Sequence, residues 1–276
     1  MALKYFDSLV HVTEDGTWLG GTRYDASEDR LIRELDACGP DTRACLVAIA
    51  GHASNEAVQN VARKHPGRFI PIGSIDPGGC ADPVEIDRQV GALARQGFLG
   101  LKLHPRLNGY DPLHDHSLAA IEAAGRHGLV VFLCTLFRQR DLATRHPTDI
   151  VDIIATENRD VPIVLLHGTG ATPLSLFEMV RMHPQLILDV SFTIMRYAES
   201  SVDQDLRFIF RGLDQRVTVG SDFPEYTPGE AMRRFETLSE GLPMEKIENI
   251  RFRNLERLFE GKRAFAEVAA GAGEKR

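Results

Sequence analysis

Short apolar runs alternate with helical patterns along nearly the whole chain. The runs are KYFDSLVHV, RACLVAIA, RFIPIGSI, FLGLKLH, LVVFLC, VPIVLLH, QLILDV and RVTVGSD. Most are continuous stretches of Val, Ile and Leu, the mark of parallel strands covered on both faces. The segments between them carry apolar residues at helical spacing, as Ile86, Val90 and Leu93 do. Several also open on helix-start signals. DPVE puts Asp82 at an N-cap, Pro83 at the first helical position and Glu85 three residues after the cap. TPGE repeats the device with Thr227, Pro228 and Glu230, and Asp25 and Glu28 have the same capping-box spacing ahead of a helix reaching Cys38. Further helices are expected over 54–65, 117–127 and 148–158, from Thr172, and over 201–211.

Eight strand–helix units in succession predict an α/β fold, a single-domain (β/α)8 TIM-like barrel over residues 1–262. An open doubly wound sheet is the competing arrangement, but no Gly-rich phosphate loop follows the first strand. The small-residue stretch GKRAFAEVAAGAGEKR reads as a tail over 263–276, a frayed helix or a disordered end.

Composition narrows the function. The chain has 276 residues, 43% apolar and 26% charged, as a soluble globular protein with a full core has. A formal charge of −7 argues against nucleic acid or an anionic membrane as partner. The chain has no apolar run of about 18 residues to span a bilayer, and MALKYFD has no apolar leader region. Cys38, Cys45, Cys80 and Cys134 show no CxxC spacing, so a reduced, cytoplasmic setting is expected. The expected partner is a small molecule, with a homo-oligomer left open.

In a barrel of this kind the active site lies at the C-terminal ends of the strands. The ionisable residues collect there: His11 ends the first strand, Lys102 and His104 the fourth, His167 the sixth and Asp222 the eighth. Any one of them alone is better read as a hydrogen-bonded core or loop residue. Together they predict one pocket, because several buried charges in one place are costly unless chemistry uses them. The loops after strands four, five and seven bring Arg106, Tyr110, Arg138, Arg140, Arg196 and Tyr197 to the same rim. Guanidinium groups grip carboxylates in a fork, so the substrate is expected to be a small anion. In a regular strand Asp7, Leu9 and His11 share one face, which sets two ionisable groups beside each other in an apolar segment.

Four motifs, GLKLHP, IVLLHGTG, VGSDFP and IENIRFRNLERLFEG, resemble the amidohydrolase superfamily, closest to the amidohydrolase-2 group of metal-dependent hydrolases and decarboxylases. The resemblance runs from Asp7 to Gly261 and implies a distorted (β/α)8 barrel with a divalent metal, usually zinc, at its mouth. It implies a His-x-His pair on the first strand, where this chain has Leu9 and His11, and a further histidine on strand five, where it has Cys134. Asp222 matches the strand-eight aspartate that binds metal and activates water, and His167 matches a proton-transfer histidine. His11, Asp222 and, more weakly, Cys134 are then the candidate zinc ligands. Lys102, His104, Arg106, Arg138 and Arg196 are the candidate substrate-binding residues.

The function expected on this basis is hydrolysis of a lactone or amide carrying a carboxylate, by activated water. The alternatives are a metal-independent lactonase, needing no cofactor, a related decarboxylase, or a non-catalytic small-molecule-binding descendant.

Overall fold

The computed structural model describes residues 4–137 and 145–260. Its centre is one eight-stranded parallel sheet in sequence order: β1 Phe6–Val10, β2 Arg43–Val47, β3 Phe69–Ser74, β4 Gly100–Leu103, β5 Val130–Cys134, β6 Ile163–Leu166, β7 Leu186–Asp189 and β8 Val217–Thr218. The ring closes where the segment after β8 meets β1. Ser8 N donates to Val219 O at 3.2 Å, Asp222 N to Leu9 O at 3.0 Å and His11 N to Phe223 O at 3.0 Å.

The continuous apolar strands have the origin the sequence suggests, because each faces two cores. Cys45, Val47, Ile70, Ile72, Val130, Phe132, Val164 and Leu166 fill the barrel interior. The alternate residues, among them Leu46, Leu101, Leu103, Val131 and Leu165, pack outward with helix residues such as Leu35, Val90 and Ile154. Leu255 and Phe259, from the closing motif, plug the interior from below, and Phe259 stacks on Phe132 with ring centroids 6.4 Å apart. Phe132→Ala is therefore expected to cost about 3–5 kcal/mol, read as a lowered denaturant midpoint with unchanged slope.

The helix-start signals held in two places and shifted in others. Thr227 and Glu230 form the full reciprocal box of the helix Pro228–Leu238. Asp82 caps the helix Pro83–Arg95, but Glu85 reaches back to Ala81 N rather than to the cap. The helix Glu28–Cys38 is capped by Ser27, whose hydroxyl takes Arg30 N, while Asp25 instead holds Ser27 N at 2.8 Å. Thr172 caps nothing: Pro173–Leu176 is a 3₁₀ turn leading into the short helix Phe177–Met182. The expected tail lies outside the described residues. Among the described residues no helix is long and apolar enough to cross a membrane, and all four cysteines are free and buried.

Asp7 departs from expectation. A register shift between Asp7 and Val10 breaks the strand's alternation, so Leu9 and His11 face inward and Asp7 does not join them. Its carboxylate instead accepts Leu9 N at 3.0 Å and Ser221 N at 2.9 Å, stapling the first strand to the last. Gly220 permits this approach, since a Cβ there would lie 2.7 Å from Asp7 Oδ1. Burial pushes the Asp7 carboxyl up to about 7, against the opposing pull of the Leu9 and Ser221 hydrogen bonds. Between the ordinary carboxylate range and pH 7 the folded state thus holds a proton that the unfolded chain has released. This group's stabilisation is complete at low pH and is lost as pH rises through 7. The denaturant midpoint should fall between pH 5 and pH 8, and Asp7→Asn should flatten that fall.

Candidate active site

Five strand-end residues meet at the barrel mouth. His11, Lys102, His104, His167 and Asp222 line one chamber of about 30 Å³, together with Arg106, Trp18, Phe192 and Glu225. That volume is about one water molecule's share of the liquid. Arg106, Leu136 and Phe192 also border an outer pocket of about 720 Å³, so the two cavities adjoin.

Each side chain is aimed by a specific contact. His11 Nδ1 lies 2.6 Å from the carbonyl of Val47 on β2, which takes its N–H and leaves Nε2 toward Asp222 Oδ1, 3.5 Å away. Trp18 stacks on the His11 ring at 4.9 Å, and its indole N–H donates to Glu225 at 3.4 Å. His167 and Asp222 both adopt left-handed backbone conformations, at φ 66° and 59°. Such conformations cost non-glycine residues roughly 1 kcal/mol or more, and they cluster where side chains must be re-aimed.

Lys102 follows the interior parity of β4, between outward-facing Leu101 and Leu103, and is 1% exposed. Its electrostatic neighbours are Cys134, Asp222, Asp189 and Arg106, and among the described residues no hydrogen bond reaches its ammonium. Burial lowers its pKa, and the nearby Cys134 and Asp222 offset part of that. His104 Nδ1 accepts Leu107 N at 3.3 Å at the start of the turn Pro105–Asn108. Burial lowers the His104 pKa as well, against the opposing pull of Cys134.

Cys134 sits behind the chamber, fully buried and hydrogen-bonded to the side chains of His104 and His167. Burial alone would raise its thiol, but the two imidazoles hold it well below the usual thiol range. Burial opposes a charge on His167, yet Asp222 and the sulfur of Cys134 raise its pKa. Burial likewise opposes the charge of Asp222, but the His11 hydrogen bond and the charges of His167, His11 and Lys102 bring its pKa down to about 2. Glu225 is half-buried, and burial and Asp222 raise its pKa.

The rim is partly as expected. Arg106 and Arg196 are exposed and border the outer pocket, with Arg196 hydrogen-bonded to Tyr226. Tyr197 lines that pocket too, whereas Tyr110 lines neither cavity and packs against Gly78. Arg138 and Arg140 lie outside the described residues. Arg145 joins the outer pocket, though only its loop, not the residue, stood out in the sequence. Trp18, Glu225 and Phe192 were also missed, since nothing about a lone aromatic or acid in a loop marks it as facing a chamber.

The donor set does not suit a metal ion. His11 and Asp222 are neighbours, but the position two residues before His11 is Leu9, packed into the apolar barrel interior. The sulfur of Cys134 is turned to His104 and His167, so the zinc set of His11, Cys134 and Asp222 is not assembled. Among the described residues no three His, Cys, Asp or Glu side chains are grouped to hold a metal. A catalytic zinc generally keeps three protein ligands.

Solved structures that share this fold include the following three. An uncharacterised TIM-barrel protein from Bordetella bronchiseptica is 19% identical over 93% of this chain and 98% of its own, with a TM-score of 0.76. A probable 2-pyrone-4,6-dicarboxylic acid hydrolase from Acinetobacter baumannii, with citric acid bound, is 17% identical over 93% and 99%, at 0.67. A dihydroxybenzoic acid decarboxylase from Polaromonas sp., with manganese and 2-nitroresorcinol bound, is 15% identical over 95% and 98%, at 0.70. No curated protein sequence matches the chain. The amidohydrolase family model matches residues 18–259.

Proposed function

Because this chain belongs to the amidohydrolase family, we propose that it hydrolyses a small carboxylate-bearing substrate, a lactone or an amide, with water activated at Asp222 and no metal ion. One observation carries this reading: a buried ammonium, Lys102, which among the described residues has no hydrogen-bond acceptor, lines the same small chamber as an ionised carboxylate, Asp222. A buried cation whose hydrogen-bond donors are unused is unfavourable unless an anion is to be received there.

In this reading the substrate's negative oxygen docks on Lys102, with Arg106 at the entrance. A carboxylate with a pKa near 2 is a weak base. The arriving anion cancels part of the positive charge around Asp222 and so raises its basicity at the moment it is needed. Asp222 then takes a proton from water as the water oxygen bonds to the carbonyl carbon. Lys102 holds the developing oxyanion. The C–O or C–N bond breaks, and His167 gives its proton to the leaving atom. The proton on Asp222 returns to His167, which resets the site with one water added to the substrate.

A decarboxylase reading shares the substrate's carboxylate and is favoured by the fold likeness to a decarboxylase, but that protein has manganese bound and this donor set does not suit one. The test is a panel of carboxylated lactones and amides, run in ¹⁸O-water on chelator-treated protein. We expect one ¹⁸O per product and undiminished turnover after chelation. Carbon dioxide release without ¹⁸O uptake would select the decarboxylase, and activity restored only by added metal would overturn the metal-free step.

A further inference from the structure

We infer that Asp189 is a positioning residue for His167, acting through Ser191. The inference rests on the reading of His167 as the proton-transfer group, and it concerns a carboxylate that neither the family pattern nor the chemistry above uses. Asp189 ends β7, is fully buried and lines neither cavity. It accepts four hydrogen bonds: from the hydroxyl of Ser8 on β1, from Thr218 Oγ1 on β8 at 2.9 Å, and from both the hydroxyl and the amide of Ser191, the amide at 3.1 Å. Two of the four thus go to one residue.

Ser191 in turn sets the ring of His167. Its carbonyl takes the Nδ1–H at 3.2 Å, and its hydroxyl lies 3.4 Å from the same nitrogen. The following residues complete the cradle. Phe192 meets the ring edge-on at 5.8 Å, and Thr193 donates to the His167 carbonyl at 2.6 Å. Phe192 holds φ at 61°, a conformation its side chain disfavours, so the turn needs an anchor. Asp189 supplies it by gripping both the amide and the hydroxyl of Ser191. The result commits Nδ1 as a donor and leaves Nε2 as the exchanging nitrogen. The other titratable or charged groups acting on the ring are Asp222, Cys134, Lys102 and His104, while Nδ1 lies against the carbonyl and hydroxyl of Ser191.

The test needs no substrate. Two-bond ¹H–¹⁵N correlation spectra of the full chain, labelled at histidine, report which nitrogen of each imidazole is protonated. The His167 signals are assigned by their loss in His167→Gln. In the wild-type protein we expect the neutral ring to be chiefly Nδ1–H. In Asp189→Asn and Ser191→Ala that form should lose its majority. Ser8→Ala and Thr218→Val remove the other two hydroxyls from Asp189 and should lower stability while leaving the His167 spectrum unchanged. A folded Asp189→Asn with the wild-type tautomer would overturn the inference, as would equal changes in Ser8→Ala. Should Asp189→Asn not fold, Ser191→Ala decides by the same criteria. Because the readout is spectroscopic, its failure is distinct from failure of the hydrolase reading, which the turnover panel decides.

Discussion

Turnover is expected to fall about 10²–10⁴-fold in Asp222→Asn, the usual contribution of a positioned general base. The substitution keeps the shape of the side chain and the backbone bond from Asp222 N to Leu9 O, on which ring closure depends. Circular dichroism should therefore stay near that of the wild-type protein. The melting temperature should fall, because the contacts that hold the Asp222 pKa at about 2 stabilise its charged form in the folded chain. The asparagine amide cannot accept a proton from water, and it offers less to the cations now facing it. His167, raised by the Asp222 charge, should titrate lower in the variant. Loss of turnover together with a lowered His167 midpoint would tie the two residues to one site. A variant retaining most of its rate would remove Asp222 from the chemistry altogether.

The second large effect separates activity from stability. Lys102→Met should abolish detectable hydrolysis, since it removes the group proposed to bind the substrate's charge and its oxyanion, a loss of about 10²–10³-fold or more for one such donor. The same change replaces a buried ammonium, without a hydrogen-bond acceptor among the described residues, by an apolar chain of similar length. Asp222 keeps His11 and His167 beside it. Thermal stability should accordingly be unchanged or higher. Calorimetry beside an activity assay checks both halves. A drop of many degrees in Tm would make Lys102 a structural residue and leave the chamber without its anion-binding group.

The fold was legible because the strands carry it in their composition. A parallel barrel strand is apolar on both faces, and eight such runs separated by capped helical patterns admit few other arrangements. Much of the site was legible for the same reason: against apolar strands, a histidine, lysine or aspartate at the C-terminal end stands out, and His11, Lys102, His104, His167 and Asp222 do line one chamber. Alternation failed at Asp7, because it assumes an unbroken pleat. The carboxylate found one backbone amide on its own strand, Leu9, and one across the seam, Ser221, where the strand's register shifts. Asp189 carried the same signal as Asp222, an acid at a strand end. Only the identity of its partners, three hydroxyls and an amide from three parts of the chain, distinguishes an anchor from a reactive group. Cys134 was ambiguous in sequence because sulfur serves equally as ligand, as core filler or as acceptor for imidazoles, and its neighbours, His104 and His167, come from other strands.

The seam has a consequence for how the protein is made. Asp7 and the amide of Ser221 that it holds are 214 residues apart, and the same junction sets Asp222 opposite His11. A nascent chain can collapse its early strands and helices on the ribosome, but it owns neither a closed ring nor a working mouth until its final strand emerges. Truncated products should thus be inert and readily digested, and resistance to protease should arrive in the same step as competence. A permuted chain that joins the old termini and opens a distant loop would place both sides of the junction close in sequence, and it should assemble the mouth early rather than last.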